Sequence, residues 1–158
     1  MELHNTKIDL AKGKREKLVA LLNQSLADAI DLRSQAKQAH WNVKGSNFIA
    51  LHELFDRVAT EVEVHVDDIA ERVTTLGGTA MGTVRIAAER SSLSQYPMEI
   101  IDGTAHVDAL STALADFGKK VRKNIDATDE LGDADTADLF TGISRGIDKL
   151  LWFVEAHN

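Results

Sequence analysis

The stretch Phe48–Leu76, FIALHELFDRVATEVEVHVDDIAERVTTL, decides the fold. Phe48, Leu51, Phe55, Val58, Ala59, Val62, Val66, Ile69, Val73 and Leu76 recur at helical spacing, which predicts one continuous amphipathic helix. Gly77-Gly78 follows, where glycine can take the left-handed conformation that closes a helix. Ser46 or Asn47 can cap its start. At 1.5 Å per residue such a helix is roughly 45 Å long.

On the N-terminal side, Leu18, Leu22, Leu26, Ala29, Arg33, Ala36 and His40 descend one face, predicting a first helix from about Gly13 to Asn42 that stops near Gly45. On the C-terminal side, Gly78 to Gly103 is rich in Ser, Thr and Gly and reads as a long crossover with room for one short helix near Thr83 to Glu89. Thr104 is the expected cap of a third long helix, with Val107, Leu110, Leu114, Phe117, Val121 and Ile125 inward. Asp135 is the expected cap of a fourth, with Leu139, Phe140, Ile143, Ile147, Leu150, Leu151 and Val154 inward. Two short connections flanking a long one are the connectivity of an all-α, ferritin-like four-helix bundle.

The same decisive helix carries charged groups that cannot all meet in one copy. His52/Asp56 and Asp67/Glu71 are two pairs at i, i+4, each able to converge on one ion, and Asp56 and Asp67 stand about 16 Å apart along the axis. An antiparallel partner helix across a two-fold axis near residues 61 to 62 would bring one pair of each chain to the other pair of its mate. With Phe55 at the centre of the buried face, all four residues fall on one flank, and Val64 also points to that side, where a partner surface would cover it. Glu53 and Glu63 share the arc, so angle alone does not choose the ligands. The same residues would also serve as the charged flank of an exposed helix. With His40 added, two imidazoles and three carboxylates suit iron(II), manganese or zinc and not calcium.

Composition narrows the classes further. The chain has 158 residues and no cysteine, one domain's length, which removes disulfides, thiolate metal sites and cysteine nucleophiles. No apolar run reaches the roughly 20 residues of a membrane span, and the N-terminus has no apolar core, so a cytoplasmic protein is expected. A net charge of -7 confines any polyanion binding to a local basic segment.

Three stretches resemble the Dps family, the DNA-binding proteins of starved bacterial cells, or mini-ferritins. They are Lys37-Gln38-Ala39-His40-Trp41-Asn42-Val43-Lys44-Gly45, then Asn47 to Asp56, then Asp67-Asp68-Ile69-Ala70-Glu71-Arg72. Thr75 to Gly78, Asp135 to Asp138 and Asp148 to Phe153 are similar to that family too, so the resemblance covers essentially the whole chain. No Glu-x-x-His occurs, unlike in ordinary ferritins. The resemblance implies a single domain over residues 1–158, a hollow homododecamer, and an inter-subunit di-iron site made by His40, His52 and Asp56 of one chain with Asp67 and Glu71 of its mate. It implies oxidation of Fe2+ to Fe3+, preferentially with hydrogen peroxide rather than dioxygen, and storage of the ferric product. Zinc is another divalent metal for the site. Trp41 is implied as an oxidisable indole beside the iron, and is equally readable as a packed helix-end aromatic.

Further expectations concern two charged stretches. Asp133, Asp135 and Asp138 are the family-implied carboxylates of a three-fold pore, within an acidic run that also reads as a solvated turn. Lys7, Lys12, Lys14, Arg15 and Lys17 are the candidate DNA contacts, with residues 1–12 expected as a flexible tail. His4, His65, His106 and His157 are expected to be surface or structural. The alternative function is a DNA-compacting or scaffold shell with little ferroxidase activity.

Overall fold

The computed structural model describes residues 3–158; Met1 and Glu2, part of the expected tail, lie outside the described residues. Its elements are α1 (Lys12–Asn42), α2 (Phe48–Thr75), α3 (Val84–Arg90), α4 (Gly103–Glu130) and α5 (Ala134–Glu155). The antiparallel pairs α1/α2 and α4/α5 pack together as a four-helix bundle, and α3 in the crossover lies against α1. None of these helices is long and apolar enough to cross a membrane.

The apolar stripes meet along the bundle axis. Phe55, Phe117, Phe140, Leu22, Leu26, Leu32, Leu110 and Ile143 are all buried there, each contributing about 1.5–3 kcal/mol relative to exposure. Helix α1 is covered on a second face, so several of its polar residues are buried too. They anchor the crossover: Asn23 donates to the Thr79 carbonyl and accepts from the Met81 amide, and Asp28 accepts from the amide and hydroxyl of Ser92.

Helix ends differ from the sequence expectation at the caps. Asp102, not Thr104, caps α4 by accepting from the Ala105 amide, and Asp133, not Asp135, caps α5 by accepting from the Thr136 amide. In each case a carboxylate two positions earlier supplies the acceptor that the first-turn amides require. Asn47 occupies the cap position of α2 without a side-chain bond. As expected, α2 closes at a glycine of positive φ, Gly77 at 84°.

Described residues of the expected tail make contacts with the bundle. Leu3 and Leu10 pack against the core, and the His4 amide donates to the Gly77 carbonyl at 2.7 Å. Arg15 fixes the segment from beneath, donating from Nε to the Leu10 carbonyl and from Nη1 to the Leu76 carbonyl. It is buried, at 9 % exposure, and so is withdrawn from the DNA candidates; Lys7, Lys12, Lys14 and Lys17 remain exposed.

Candidate metal centre

The register of α1 against α2 places His40, near the end of one, over His52, in the second turn of the other. Their rings stack with centroids 3.8 Å apart. The bonding is reciprocal: His40 Nδ1 lies 2.7 Å from the His52 carbonyl and His52 Nδ1 lies 2.9 Å from the His40 carbonyl. A carbonyl oxygen only accepts, so each Nδ1 carries a proton and each Nε2 of the neutral ring keeps its lone pair for a metal. This is the outer-shell support that metal-binding histidines require, supplied here by the backbone of the other candidate ligand.

One turn along, Asp56 completes this half-site. Lys37 donates to its Oδ1 at 2.6 Å, leaving Oδ2 without a bond among the described residues. That hydrogen bond, with the positive charge of Lys37, outweighs the opposing effect of burial and holds the carboxyl below its ordinary range. The carboxylate is therefore ready to bind a cation at neutral pH. Lys37 was not singled out in the sequence; its position three residues before His40, on the same helix face, was the available signal. Its ammonium also lies 5.7 Å from the Trp41 ring, whose indole is exposed beside the site.

Asp67 and Glu71 sit on the far half of α2, exposed, and form none of the ion pairs of the described residues. The structure thus brings together His40, His52 and Asp56 and keeps Asp67 and Glu71 apart from them. Among the described residues of one chain, no three His, Cys, Asp or Glu side chains are grouped to hold an ion. Of the competing carboxylates on that arc, Glu63 is occupied by Arg33 at 2.6 Å, whereas Glu53 is unpaired among the described residues. Val64 on this flank is 57 % exposed, a large apolar residue facing outward between the two half-sites.

The pore candidates divide. Asp133 is buried and accepts from Arg72 Nη2 through both oxygens, at 2.8 and 2.9 Å, as well as from the Thr136 hydroxyl. Burial works against its charge, but the bonds from Thr136 and Arg72 prevail and hold its carboxyl below the ordinary value. A carboxylate spent on a cap and a guanidinium has no charge to offer an ion in a channel, so Asp133 is removed from the pore set. Asp135 and Asp138 are exposed on the first turns of α5.

Of the remaining histidines, His4 and His157 are exposed, and His65 is half-buried against Gly146, where an added Cβ would lie 2.7 Å from its Nε2. His106 is buried and bonded to Tyr96 at 2.7 Å.

Comparison with known proteins places this geometry in a family. A ferritin-like domain model matches residues 19–158. The DNA protection during starvation protein of Agrobacterium fabrum is 47 % identical over 157 residues, covering 99 % of this chain and 97 % of that one. Its namesake in Brevibacillus brevis is 35 % identical, over 92 % of this chain and 97 % of that one. Among solved structures, the tetragonal form of Mycobacterium smegmatis Dps superposes with a TM-score of 0.93 at 31 % identity, covering 99 % of this chain and 94 % of that one. A Dps from Microbacterium arborescens, solved in a high-iron form, gives 0.86 at 32 % identity, over 93 % of this chain and 95 % of that one.

Proposed function

The chain belongs to the Dps family of ferritin-like proteins, and from that premise we propose that it is a ferroxidase and iron-storage shell whose sites form between two-fold-related subunits. The observation that carries this reading is the division of α2 into two half-sites, one preorganised by the His40/His52 clamp and one bearing Asp67 and Glu71, neither completed among the described residues of its own chain. Antiparallel pairing of two α2 helices would complete both at once and would cover Val64.

Iron is the substrate of such a site. Two Fe2+ ions held side by side can each release one electron to a single hydrogen peroxide, which with two protons becomes two waters. No hydroxyl radical is formed because the O–O bond receives both electrons together. His40, His52 and Asp56 would bind one face of the pair, Asp67 and Glu71 of the mate the other, and carboxylates are the donors that favour the Fe3+ product. Twelve subunits closing into a hollow shell would hold that product inside, and the exposed Asp135 and Asp138 would lend negative potential to an entry pore. Peroxide removal and iron storage give a route to the DNA protection for which the relatives are named. A bacterial cytoplasmic setting follows from the same reading.

Stopped-flow oxidation of Fe2+ by hydrogen peroxide without oxygen tests this, comparing the wild type with an Asp67→Ala, Glu71→Ala variant of confirmed assembly. The expected result is a fast phase in the wild type alone, without hydroxyl radical. Equal slow oxidation in both would overturn the ferroxidase and favour the scaffold alternative.

A further inference from the structure

Tyr96 is the one tyrosine of the sequence, and it is not on the surface. It stands in the crossover at 7 % exposure, with its phenol oxygen 2.7 Å from Nδ1 of His106, itself 1 % exposed in the first turns of α4. The other polar groups around the imidazole are the carbonyls of Asn42 and Ile100, which only accept, and the Asp102 carboxylate. A neutral ring meets these by carrying its proton on Nε2, which leaves Nδ1 to accept from the phenol. The buried Nε2 has no hydrogen bond of good geometry, so the pocket holds less than full compensation for the ring as it stands.

The pair lies against residues that neighbour candidate ligands in the sequence. Asn42 follows His40 and Trp41 in α1, and Phe55, whose ring centroid is 6.4 Å from that of His106, precedes Asp56. The crossover is also tied to the α1–α2 turn, the Lys44 amide donating to the Ile101 carbonyl at 3.0 Å.

We propose that Tyr96 and His106 form a proton-coupled one-electron donor to the iron site, Tyr96 giving up the electron and His106 Nδ1 receiving the phenolic proton. This rests on the ferroxidase reading above. The donor acts when a site holds one Fe2+, which can supply only half of what peroxide needs. Fe2+ gives one electron and Tyr96 the second; hydrogen peroxide takes both with two protons from the bulk buffer and leaves as two waters. The products in the protein are Fe3+, a neutral tyrosyl radical and an imidazolium, so charge and atoms balance.

Burial shapes both partners for this role. It pushes the phenol well above its ordinary pKa, so Tyr96 cannot shed a proton first, and it pushes His106 down, so the ring is a neutral, available base. Once protonated, the imidazolium faces two carbonyls and the Asp102 charge, which favour it. Trp41 lies closer to the ligands in sequence, but the Lys37 ammonium over its ring opposes an indole radical cation.

The test loads the wild-type shell with less than one Fe2+ per site without oxygen, adds hydrogen peroxide, and reads freeze-quenched EPR spectra. The expected signal is a tyrosyl radical that narrows with ring-deuterated tyrosine, vanishes in Tyr96→Phe, and falls several-fold in His106→Gln. At full loading, Tyr96→Phe should oxidise iron as the wild type does. Iron oxidation with no tyrosyl radical, or with only an indole radical that Tyr96→Phe leaves unchanged, would overturn the proposal alone. Absence of iron oxidation in the fully loaded wild type would overturn the ferroxidase reading and this one with it.

Discussion

His40 and His52 orient one another: their rings stack at 3.8 Å and each ring nitrogen Nδ1 is bonded to the other residue's backbone carbonyl. Each is at once a candidate ligand and the support of the second. His52→Ala should therefore lose a ligand and release His40 as well. We expect Zn2+ affinity, read by calorimetry as a redox-inert substitute for iron, to fall by at least about 10- to 100-fold. Glu53→Ala, on the same arc but outside the ligand set, should leave it unchanged; equal losses would show that the arc binds cations through charge alone.

Asp133 serves the fold. Replacing it with Asn keeps an oxygen that can cap α5 but leaves the Arg72 guanidinium, 16 % exposed, without its carboxylate. A loss of about 3 kcal/mol is expected from breaking this largely buried pair. The pH dependence has a definite sign. Because the folded carboxyl titrates below its unfolded value of about 3.9, its stabilisation is full above that value and is lost as pH falls through the folded pKa. Acid unfolding curves should be steeper below about pH 4 in the wild type than in Asp133→Asn. Identical curves would mean that the ion pair is not formed in solution.

Much of the bundle was legible in the sequence because α2, α4 and α5 each bury one face, and a single buried face prints a regular stripe. Caps were less legible: Thr104 and Asp102 are both good cap residues two positions apart, and only the path of the chain selects between them. Helix α1 hid more, since Asn23 and Asp28 look like surface residues until the crossover covers them. The choice of ligands over Glu53 and Glu63 rests on the family resemblance, but the i, i+4 pairing on α2 shows in the sequence alone. The His40/His52 clamp does not, because it depends on the register of two helices joined by a turn, and the Tyr96–His106 bond depends on where the crossover lands.

Arg15 separates a structural cation from its solvent-facing neighbours. Its partners are carbonyls, one of them 61 residues away, so no charge pattern announces them. Arg15→Ala should lower stability by about 1–3 kcal/mol and raise exchange of the His4 amide. Lys14→Ala should change stability by less than about 0.5 kcal/mol. If the shell binds DNA through this segment, Lys14→Ala should lower the salt dependence of binding and Arg15→Ala should not. A shared decrease would place the Arg15 guanidinium in solvent.

Whether each site is shared between two chains can be read from complementation. Two variants, His52→Ala with Asp56→Ala and Asp67→Ala with Glu71→Ala, are co-expressed with different tags, and mixed shells are purified on both. In a mixed two-fold pair one site loses both halves and the other keeps both, so random mixing restores about a quarter of the sites. Peroxide-driven Fe2+ oxidation should return to roughly that fraction of wild type in mixed shells and be absent from shells of either variant alone. Mixed shells no more active than either parent would contradict a site divided between subunits.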